Sequence, residues 1–196
     1  PRRGQHRATS VAGQAPAASL DYGHRLPEPV AGRPDAPEPV QLAMASRVPY
    51  ITADLDALAE RIIRQAGATP AFKGYHGYPA TICASVNDEV IHGIPSATRI
   101  LKGGDIISID VGASLGGYFG DSAITLPVGK ISEEAGRLLR VTEESLYEAI
   151  QAARPGARIS DVGYAVQRHG ESHGYSVGRE FVGHGIGQKR HGEAQI

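Results

Sequence analysis

The stretch that decides the fold is residues 105–127, DIISIDVGASLGGYFGDSAITLP. An apolar, β-branched run leads to Asp110, a turn rich in glycine follows Leu115, and a second arm carries Asp121. β-branched residues on both sides of a glycine turn are typical of a β-hairpin. We therefore predict an antiparallel hairpin with one aspartate on each arm.

Two registers of this hairpin remain open. A turn centred on Leu115 and Gly116 would place Asp110 directly opposite Asp121, with Cβ atoms about 5 Å apart. A turn centred on Gly116 and Gly117 would make the two aspartates diagonal neighbours on one face. Facing like charges destabilise a sheet unless a counter-charge is present, and a divalent cation would supply it. The alternative is a pair of solvated aspartates on an exposed face.

Size and composition limit the possible functions. The chain has 196 residues and a formal net charge of −1, so nothing favours nucleic-acid binding. It contains one cysteine, which excludes a disulfide framework and favours a reducing compartment. No run of 18 apolar residues predicts a membrane span, and no apolar segment follows the basic N-terminal residues. We expect a cytoplasmic protein.

The chain divides near residue 50. Residues 1–50 hold 8 of the 13 prolines and show no helical or strand period, which predicts a disordered leader. Residues 51–196 are predicted to form the folded domain. Its first helix is expected to be capped by Thr52 and to end at Gly67.

The segment 72–95, FKGYHGYPATICASVNDEVIHGIP, combines a glycine-rich loop with a predicted strand over residues 81–86. His92 follows two β-branched residues and precedes Gly93, which favours a histidine placed at a strand end near a site. The alternative for a lone histidine is a half-buried residue whose polar atoms are satisfied.

Two helices are predicted beyond Pro127. The first is capped by Ser132, and the second is capped by Ser160 and ends near Gly174. His169 and His173 are four residues apart, a spacing that can bind a metal on a helix, but their polar neighbours favour a solvated surface. The apolar face of the first helix is predicted to consist of Ala135, Leu138, Leu139, Thr142, Leu146, Ala149 and Ile150.

The last segment contains GHGIG at residues 183–187, which matches neither a Walker loop nor a dinucleotide fingerprint. We expect its glycines to let the backbone approach a bound group closely. His191 follows His184 by seven residues, which is not the spacing of a helical zinc pair, so the two histidines need not share a metal.

Five motifs in this order, YHGYP, SVNDEVIHGIP, GDIISIDV, GGYFGDSAIT and GHGIG, resemble type I methionine aminopeptidase of the bacterial kind, in peptidase family M24. The resemblance covers residues 52–196. It implies an α+β, pita-bread fold, of which the chain holds the N-terminal half and the start of the second half. It also implies removal of the initiator methionine by a metal-bridging water, with two divalent ions drawn from Co, Mn, Fe, Zn or Ni.

The resemblance assigns roles by position. It implies that Asp110, Asp121 and His184 are metal ligands, with Asp121 bridging both ions. It implies that His92 lies near the substrate amine and that His191 contacts the substrate carbonyl. Both histidines would therefore be catalytic and would bind substrate.

The remaining implied residues form a methionine pocket lined by Tyr75, His76, Tyr78 and Cys83. This chain departs from the family pattern at Arg190, which stands where the family has an apolar pocket residue. The family also has two glutamate ligands well beyond the position of His191, whereas the given sequence ends at Ile196. We therefore expect an incomplete pita-bread domain, truncated at its C-terminus, with little activity of its own.

Three functional hypotheses follow. The first is a methionyl aminopeptidase that acts on the N-terminal methionine of nascent polypeptides, with the ribosome as a further partner, as a monomer. The second is a non-catalytic binding module of the same fold. The third is an X-Pro peptidase of that fold, although YHGYP and IHGIP resemble the methionine enzymes more closely.

Overall fold

A computed structural model describes residues 50–196 of the chain. The predicted leader over residues 1–50 therefore lies outside the described residues, apart from Tyr50. In the described part, no helix has both the length and the apolar character needed to cross a bilayer. The helices and strands in chain order are α1 (Thr52–Gln65), β1 (Thr69–Pro70), a 3₁₀ turn (Tyr75–Gly77), β2 (Ile82–Val86), β3 (Ile106–Leu115), β4 (Tyr118–Pro127), α2 (Glu133–Ala152) and α3 (Ile159–Ser172).

The four strands form one antiparallel sheet with β3 at its centre. β1 and β2 pair with one edge of β3, and β4 pairs with the other edge. Together with the three α-helices that lie within residues 50–196, this gives the predicted α+β class. The hairpin of β3 and β4 turns at Gly116 and Gly117, whose φ angles are 59° and 84°. Positive φ at both turn residues is the geometry that a two-residue hairpin favours, because it matches the twist of the strands.

This turn decides between the two predicted registers. Asp110 pairs with Ala123, and Gly112 pairs with Asp121. The register that placed the two aspartates directly opposite each other is therefore wrong. The diagonal register is correct, because only glycine adopts positive φ freely at both turn positions and Leu115 does not.

Alternation along the hairpin separates two faces of the sheet. Ile107 and Leu126, on one face, are buried in the core. They pack with Leu55 of α1 and with the apolar residues of β2, which is buried along its whole length. The other face carries Cys83, Ser108, Asp110, Gly112, Phe119, Asp121 and Thr125, since residues two apart share a face and paired residues share it too.

Helix α1 is joined to the rest of the domain by side chains near its start. Thr52 was predicted as its cap, but it is the first helical residue and Ile51 occupies the capping position. The Thr52 hydroxyl accepts the backbone N–H of Ser96 at 2.9 Å, which holds a distant loop instead of the helix end. The Asp56 carboxylate accepts the backbone N–H groups of Thr81 and Ile82 at 2.7 and 2.9 Å, at the start of β2.

The two later helices pack against each other. Ser132 caps α2 as predicted, since its hydroxyl accepts the N–H of Ala135 at 3.1 Å. The cap predicted at Ser160 is wrong, because the helix already begins at Ile159 and Arg158 occupies the capping position. The Asp161 carboxylate accepts the backbone N–H of Arg158 at 2.8 Å. The predicted apolar face of α2 is also partly wrong. Val141, Ser145 and Ala149 are its buried stripe, while Leu138, Leu146 and Ile150 are exposed.

The last segment folds back on itself without forming a regular strand. Gly183 and Ile196 exchange two backbone hydrogen bonds, both of 3.0 Å, and His184 bridges to Gln195. The backbone N–H of Phe119 on β4 donates to the carbonyl of Gly187 at 2.8 Å. This bond fixes the GHGIG motif beside the hairpin strand that carries Asp121.

Candidate functional site

The two hairpin aspartates form the centre of the site. Asp110 is half-buried, and the Asp121 side chain is 21% exposed. Burial and the nearby Asp121 carboxylate raise the pKa of Asp110 to about 7, although the positive field of His184 acts in the opposite direction. So high a pKa indicates a carboxyl group that is first desolvated by burial and then opposed by a second carboxylate beside it.

His184 reaches this pair from the last segment of the chain. Its Nε2 atom lies 3.8 Å from Oδ2 of Asp121. Its Nδ1 atom lies 3.1 Å from the carbonyl oxygen of Gly185, which can only accept, so Nδ1 is the N–H of the neutral ring. The lone pair of a neutral ring is then on Nε2, the atom that faces Asp121. A backbone carbonyl that fixes the tautomer in this way is typical of a metal-ligating histidine.

The donor set fits a divalent cation. Carboxylate oxygens and one imidazole suit such ions, and two ligands at about 2.1 Å from one ion lie about 3–4 Å apart, near the distance between His184 and Asp121. Among residues 50–196, no lysine or arginine forms an ion pair with either aspartate. No basic side chain is therefore bonded to the pair, although the charges of Arg190 and Asp121 attract each other at longer range.

His191 lies beside His184, and Tyr75 lies beside His191. The Tyr75 hydroxyl is 3.2 Å from Nδ1 of His191, and the His191 ring centroid is 4.5 Å from that of His184. The His76 ring packs edge-on against Tyr75 at 4.2 Å. Burial, followed by the positive fields of His184 and Arg190, lowers the pKa of His191. His191 is therefore biased toward its neutral form.

Arg190 occupies the predicted pocket as a cation stacked on aromatic rings. Its guanidinium carbon lies 3.7 Å from the Tyr75 ring centroid and 5.6 Å from those of Phe72 and Phe119. Such contacts stabilise a cation by about 0.5–2 kcal/mol each. The buried Nε atom of Arg190 has no hydrogen-bond partner, and burial lowers the pKa of the guanidinium. A poorly solvated positive charge thus lies against Tyr75, one of the residues predicted to line the methionine pocket.

Phe72 and Phe119 lie near Arg190 and were not among the residues that the sequence predicted to line a pocket. Phe119 shares the site face because it is two residues before Asp121. Phe72 reaches the same face because Gly112 has no side chain, and a Cβ there would lie 2.5 Å from Cε1 of Phe72. A glycine that interrupts a β-branched strand is a signal of close approach, so Gly112 was the clue to this contact.

Cys83 and Tyr78 lie beside Asp110. Cys83 is the direct partner of Asp110 in the β2–β3 pairing and is buried. Burial raises the pKa of its thiol, which therefore stays protonated near neutral pH. Burial also raises the pKa of Tyr78, whose hydroxyl lies 2.9 and 3.1 Å from the carbonyl oxygens of Ile82 and Gly93 and shares its one proton between them. Tyr78 thus connects the pocket loop to the segment that carries His92.

His92 is the predicted site residue that the structure does not bring into contact with the others. It is exposed, has a φ of 59°, and lies in irregular backbone, so its predicted place at a strand end is wrong. Within the described residues its side chain has no recorded hydrogen bond or ion pair. The next residue is held firmly, because the Ala84 N–H donates to the Gly93 carbonyl at 2.8 Å. A Cβ at Gly93 would lie 2.4 Å from the Ala84 oxygen, which is why glycine is needed there.

The glycines of GHGIG serve the chain's own backbone as well. Gly185 donates to the Ala194 carbonyl at 2.9 Å, and a Cβ at Gly192 would lie 2.9 Å from Gly185. The close approach that these glycines allow in the structure is therefore between the two arms of the last segment. Approach to a bound group stays a prediction.

A second group of possible metal ligands lies elsewhere. In the described part of the chain, Glu144, His169 and His173 are the three residues whose ligand atoms all lie within 4.8 Å of one another. Asp110, Asp121 and His184 are more widely spaced as a set. The expectation that His169 and His173 lie on a solvated surface holds only in part, since both are partly buried and their rings lie 4.5 Å apart.

Comparison with known proteins identifies the chain's relatives. The sequence model of "Metallopeptidase family M24" matches residues 41–196. "Methionine aminopeptidase 1" of Bacillus subtilis (strain 168) is 56% identical over 145 residues, covering 74% of this chain and 58% of the relative. The crystal structure of methionine aminopeptidase from Rickettsia prowazekii superposes with a TM-score of 0.76 at 39% identity, over 80% of this chain and 62% of that one.

A more distant structure shares only the fold. X-Pro aminopeptidase from Thermotoga maritima MSB8 has a TM-score of 0.64 at 24% identity, over 81% of this chain and 43% of that one. Together these neighbours confirm the predicted pita-bread fold. The chain spans about three-fifths of the length of the methionine aminopeptidases it matches.

Proposed function

This chain belongs to metallopeptidase family M24, and from that membership we propose that the whole protein is a metal-dependent methionyl aminopeptidase. Its substrate would be the N-terminal methionine of new polypeptides. The observation that carries the proposal is the group of Asp110, Asp121 and His184, in a chain 56% identical to a methionine aminopeptidase. Family membership implies a divalent metal, and the finer proposal is two ions drawn from Co, Mn, Fe, Zn or Ni.

The two aspartates and His184 would hold the metal. Support comes from the raised pKa of Asp110, from the Nε2 atom of His184 facing Asp121 at 3.8 Å, and from the lack of an arginine or lysine ion pair with either aspartate in residues 50–196. When bound, divalent ions supply an activated water and polarise the scissile carbonyl. Bridging of two ions by Asp121 belongs to this proposal.

His191 would position the substrate carbonyl through a hydrogen bond. Its lowered pKa favours the neutral ring, and the Tyr75 hydroxyl at 3.2 Å fixes the orientation of that ring. His92 would meet the substrate amine. Because its backbone has positive φ and its neighbour Gly93 is anchored to β2, the ring is presented on a fixed loop.

Tyr75, His76, Tyr78 and Cys83 would line the pocket for the methionine side chain. The neutral thiol of Cys83 suits an apolar wall better than a nucleophile, because the thiolate is the reactive form. Arg190 would narrow this pocket and add a charge to it. We further propose a monomer that acts in the cytoplasm, on chains emerging from the ribosome.

Two other activities remain as outcomes of the test. An X-Pro peptidase shares the fold, but the relative of that kind is 24% identical, against 39% and 56% for two methionine aminopeptidases. A non-catalytic binding module would keep the fold without turnover.

The experiment uses the full-length gene product, loaded separately with Mn²⁺, Co²⁺, Fe²⁺, Zn²⁺ or Ni²⁺. Release of methionine from Met-Ala-Ser is compared with cleavage of an X-Pro peptide, and bound metal is counted by mass spectrometry. We expect metal-dependent cleavage of Met-Ala-Ser only. Preferential cleavage of the X-Pro peptide would favour an X-Pro peptidase. A folded protein that cleaves neither peptide would favour the non-catalytic binding module.

A further inference from the structure

A second set of metal-binding side chains lies between the two later helices. Glu144 projects from the middle of α2, His169 lies in the last turn of α3, and His173 follows that helix directly. One ligand atom from each residue lies within 4.8 Å of the others. Two histidines four residues apart on a helix share one face and can bind the same ion.

The hydrogen bonds around His173 leave one ring nitrogen available. Its Nδ1 atom lies 2.9 Å from the carbonyl oxygen of His169, which can only accept, so Nδ1 is the N–H of the neutral ring and Nε2 has the lone pair. This is the same arrangement that orients His184 in the candidate active site. A backbone carbonyl that fixes the tautomer of a histidine is a common feature of metal sites.

His169 already contacts the carboxylate. Its Nε2 atom lies 3.1 Å from Oε2 of Glu144, and the rings of His169 and His173 are 4.5 Å apart. Within residues 50–196, Glu144 has no arginine or lysine as an ion-pair partner. Arg137, which precedes Glu144 on α2, donates to the His173 carbonyl at 2.6 Å and forms no ion pair with Glu144.

The group is accessible from solvent. The His169 side chain is 19% exposed and that of Glu144 is 46% exposed. An ion could therefore enter without opening the fold. The widest pair of ligand atoms, which lies within 4.8 Å, would have to close to about 3.4 Å, the spacing of tetrahedral ligands about 2.1 Å from one ion, while Nε2 of His169 and Oε2 of Glu144 are already 3.1 Å apart. The Glu144 side chain, 46% exposed, can make that movement by changing rotamer.

We propose that Glu144, His169 and His173 bind one Zn²⁺ ion that links α2 to α3. Two imidazoles and one carboxylate favour zinc over magnesium or calcium, which prefer oxygen ligands. Three protein ligands leave one coordination position for water. The site lies on residues separate from Asp110, Asp121 and His184, so it does not depend on the proposed peptidase activity.

Zinc titration of the full-length protein tests this proposal. The number of zinc ions bound per chain and their affinity are measured by calorimetry for wild type, Glu144→Gln, His169→Gln and His173→Gln. Glu148→Gln, one turn further along α2, is the matched control for loss of a carboxylate. We expect one ion fewer, or a binding site weakened at least about tenfold, in each cluster variant and no change in the control. Unchanged stoichiometry and affinity in all three variants would overturn the proposal.

A second measurement locates the ion. In crystals of wild type grown with Zn²⁺, the anomalous difference map at the zinc edge should show a peak between Glu144 and the two histidines. A map with peaks elsewhere but none in this group would contradict the proposal, and would identify the group as an ion pair between helices only. Because this readout uses wild type alone, it holds even where a variant fails to fold.

Discussion

Gly112 lies directly opposite Asp121 in the hairpin, and the Phe72 ring fills the space that a side chain at residue 112 would need. The Phe72 ring therefore packs against the same pair of strands that carries Asp110 and Asp121. A change at one glycine should affect both this ring and the metal site.

Gly112→Ala is expected to lower the free energy of unfolding by about 1–3 kcal/mol, the usual range for forcing a methyl group into a packed site. Its Cβ would lie 2.5 Å from Cε1 of Phe72, so the ring must move. Gly120→Ala on β4 is the control, because a Cβ there meets nothing within 4 Å. Urea denaturation measures the stability of both variants, and KM for Met-Ala-Ser measures the effect on substrate binding. Equal losses of stability in the two variants would contradict the close contact between residue 112 and the Phe72 ring.

Asp121→Asn is expected to abolish tight metal binding and to stabilise the metal-free protein by about 1 kcal/mol. The substitution removes the like charge that raises the pKa of Asp110, so one source of repulsion in the folded state disappears. Asp88→Asn, in the exposed turn after β2, is the matched control. Metal content and the free energy of unfolding are measured for both variants and for wild type. Full metal occupancy in Asp121→Asn would show that Asp121 is not a metal ligand.

The stability of the metal-free protein should fall as pH rises from about 4 to 7. The pKa of Asp110 is 3.8 in the reference state and about 7 in the fold, so the folded state binds more protons in this window. The contribution of Asp110 is therefore fully present below pH 3.8 and is lost above pH 7. Thermal melts at several pH values, with and without metal, report it. The pH dependence assigned to Asp110 should be absent from the metal-loaded protein and reduced in Asp121→Asn.

Arg190→Phe is expected to lower KM for Met-Ala-Ser by about tenfold with little change in kcat. The variant removes a poorly solvated charge from an apolar side-chain pocket, where such a group costs on the order of 1 kcal/mol or more. Lys189→Phe, at the neighbouring exposed position, controls for added hydrophobic surface. A rise in KM for Arg190→Phe alone would show instead that the guanidinium assists substrate binding.

Gly93→Ala should displace the loop that carries His92 and reduce kcat/KM by at least about tenfold, since small displacements at a reacting centre have large effects. The added Cβ would lie 2.4 Å from the Ala84 oxygen, in the strand beside Asp110. Gly103→Ala has open space around the new methyl group and is the control. If Gly93→Ala retains wild-type kinetics, the position of His92 does not matter for catalysis.

Local patterns predicted the elements of this fold well. The β-branched arms gave the hairpin, Ser132 gave a helix start, and helix α1 ends before Gly67 as expected. The sequence left two hairpin registers open, because the turn could be centred either on Leu115 and Gly116 or on Gly116 and Gly117. Only the backbone angles show that Gly116 and Gly117 are its central pair.

Contacts between distant segments were beyond the reach of those patterns. Thr52 has the residue type of a helix cap, but the loop at Ser96 competes for its hydroxyl. The ring contact of Phe72 with β3 and the approach of His173 to Glu144 join residues at least 29 positions apart. Such contacts are set by how elements pack, which the spacing of residues along one element does not encode.

The order of synthesis matters for this site, because His184 is added to the growing chain long after Asp121. His184 follows Asp121 by 63 residues, which take about 3–13 s to add at about 5–20 residues per second. A hairpin that forms during this interval brings two carboxylates together before their histidine has been made. In the complete fold, burial and the neighbouring Asp121 raise the pKa of Asp110 to about 7, so part of the metal-free protein keeps a proton there near neutral pH. We therefore expect an ion that binds Asp110 to displace this proton, and metal binding to weaken as the pH falls below 7.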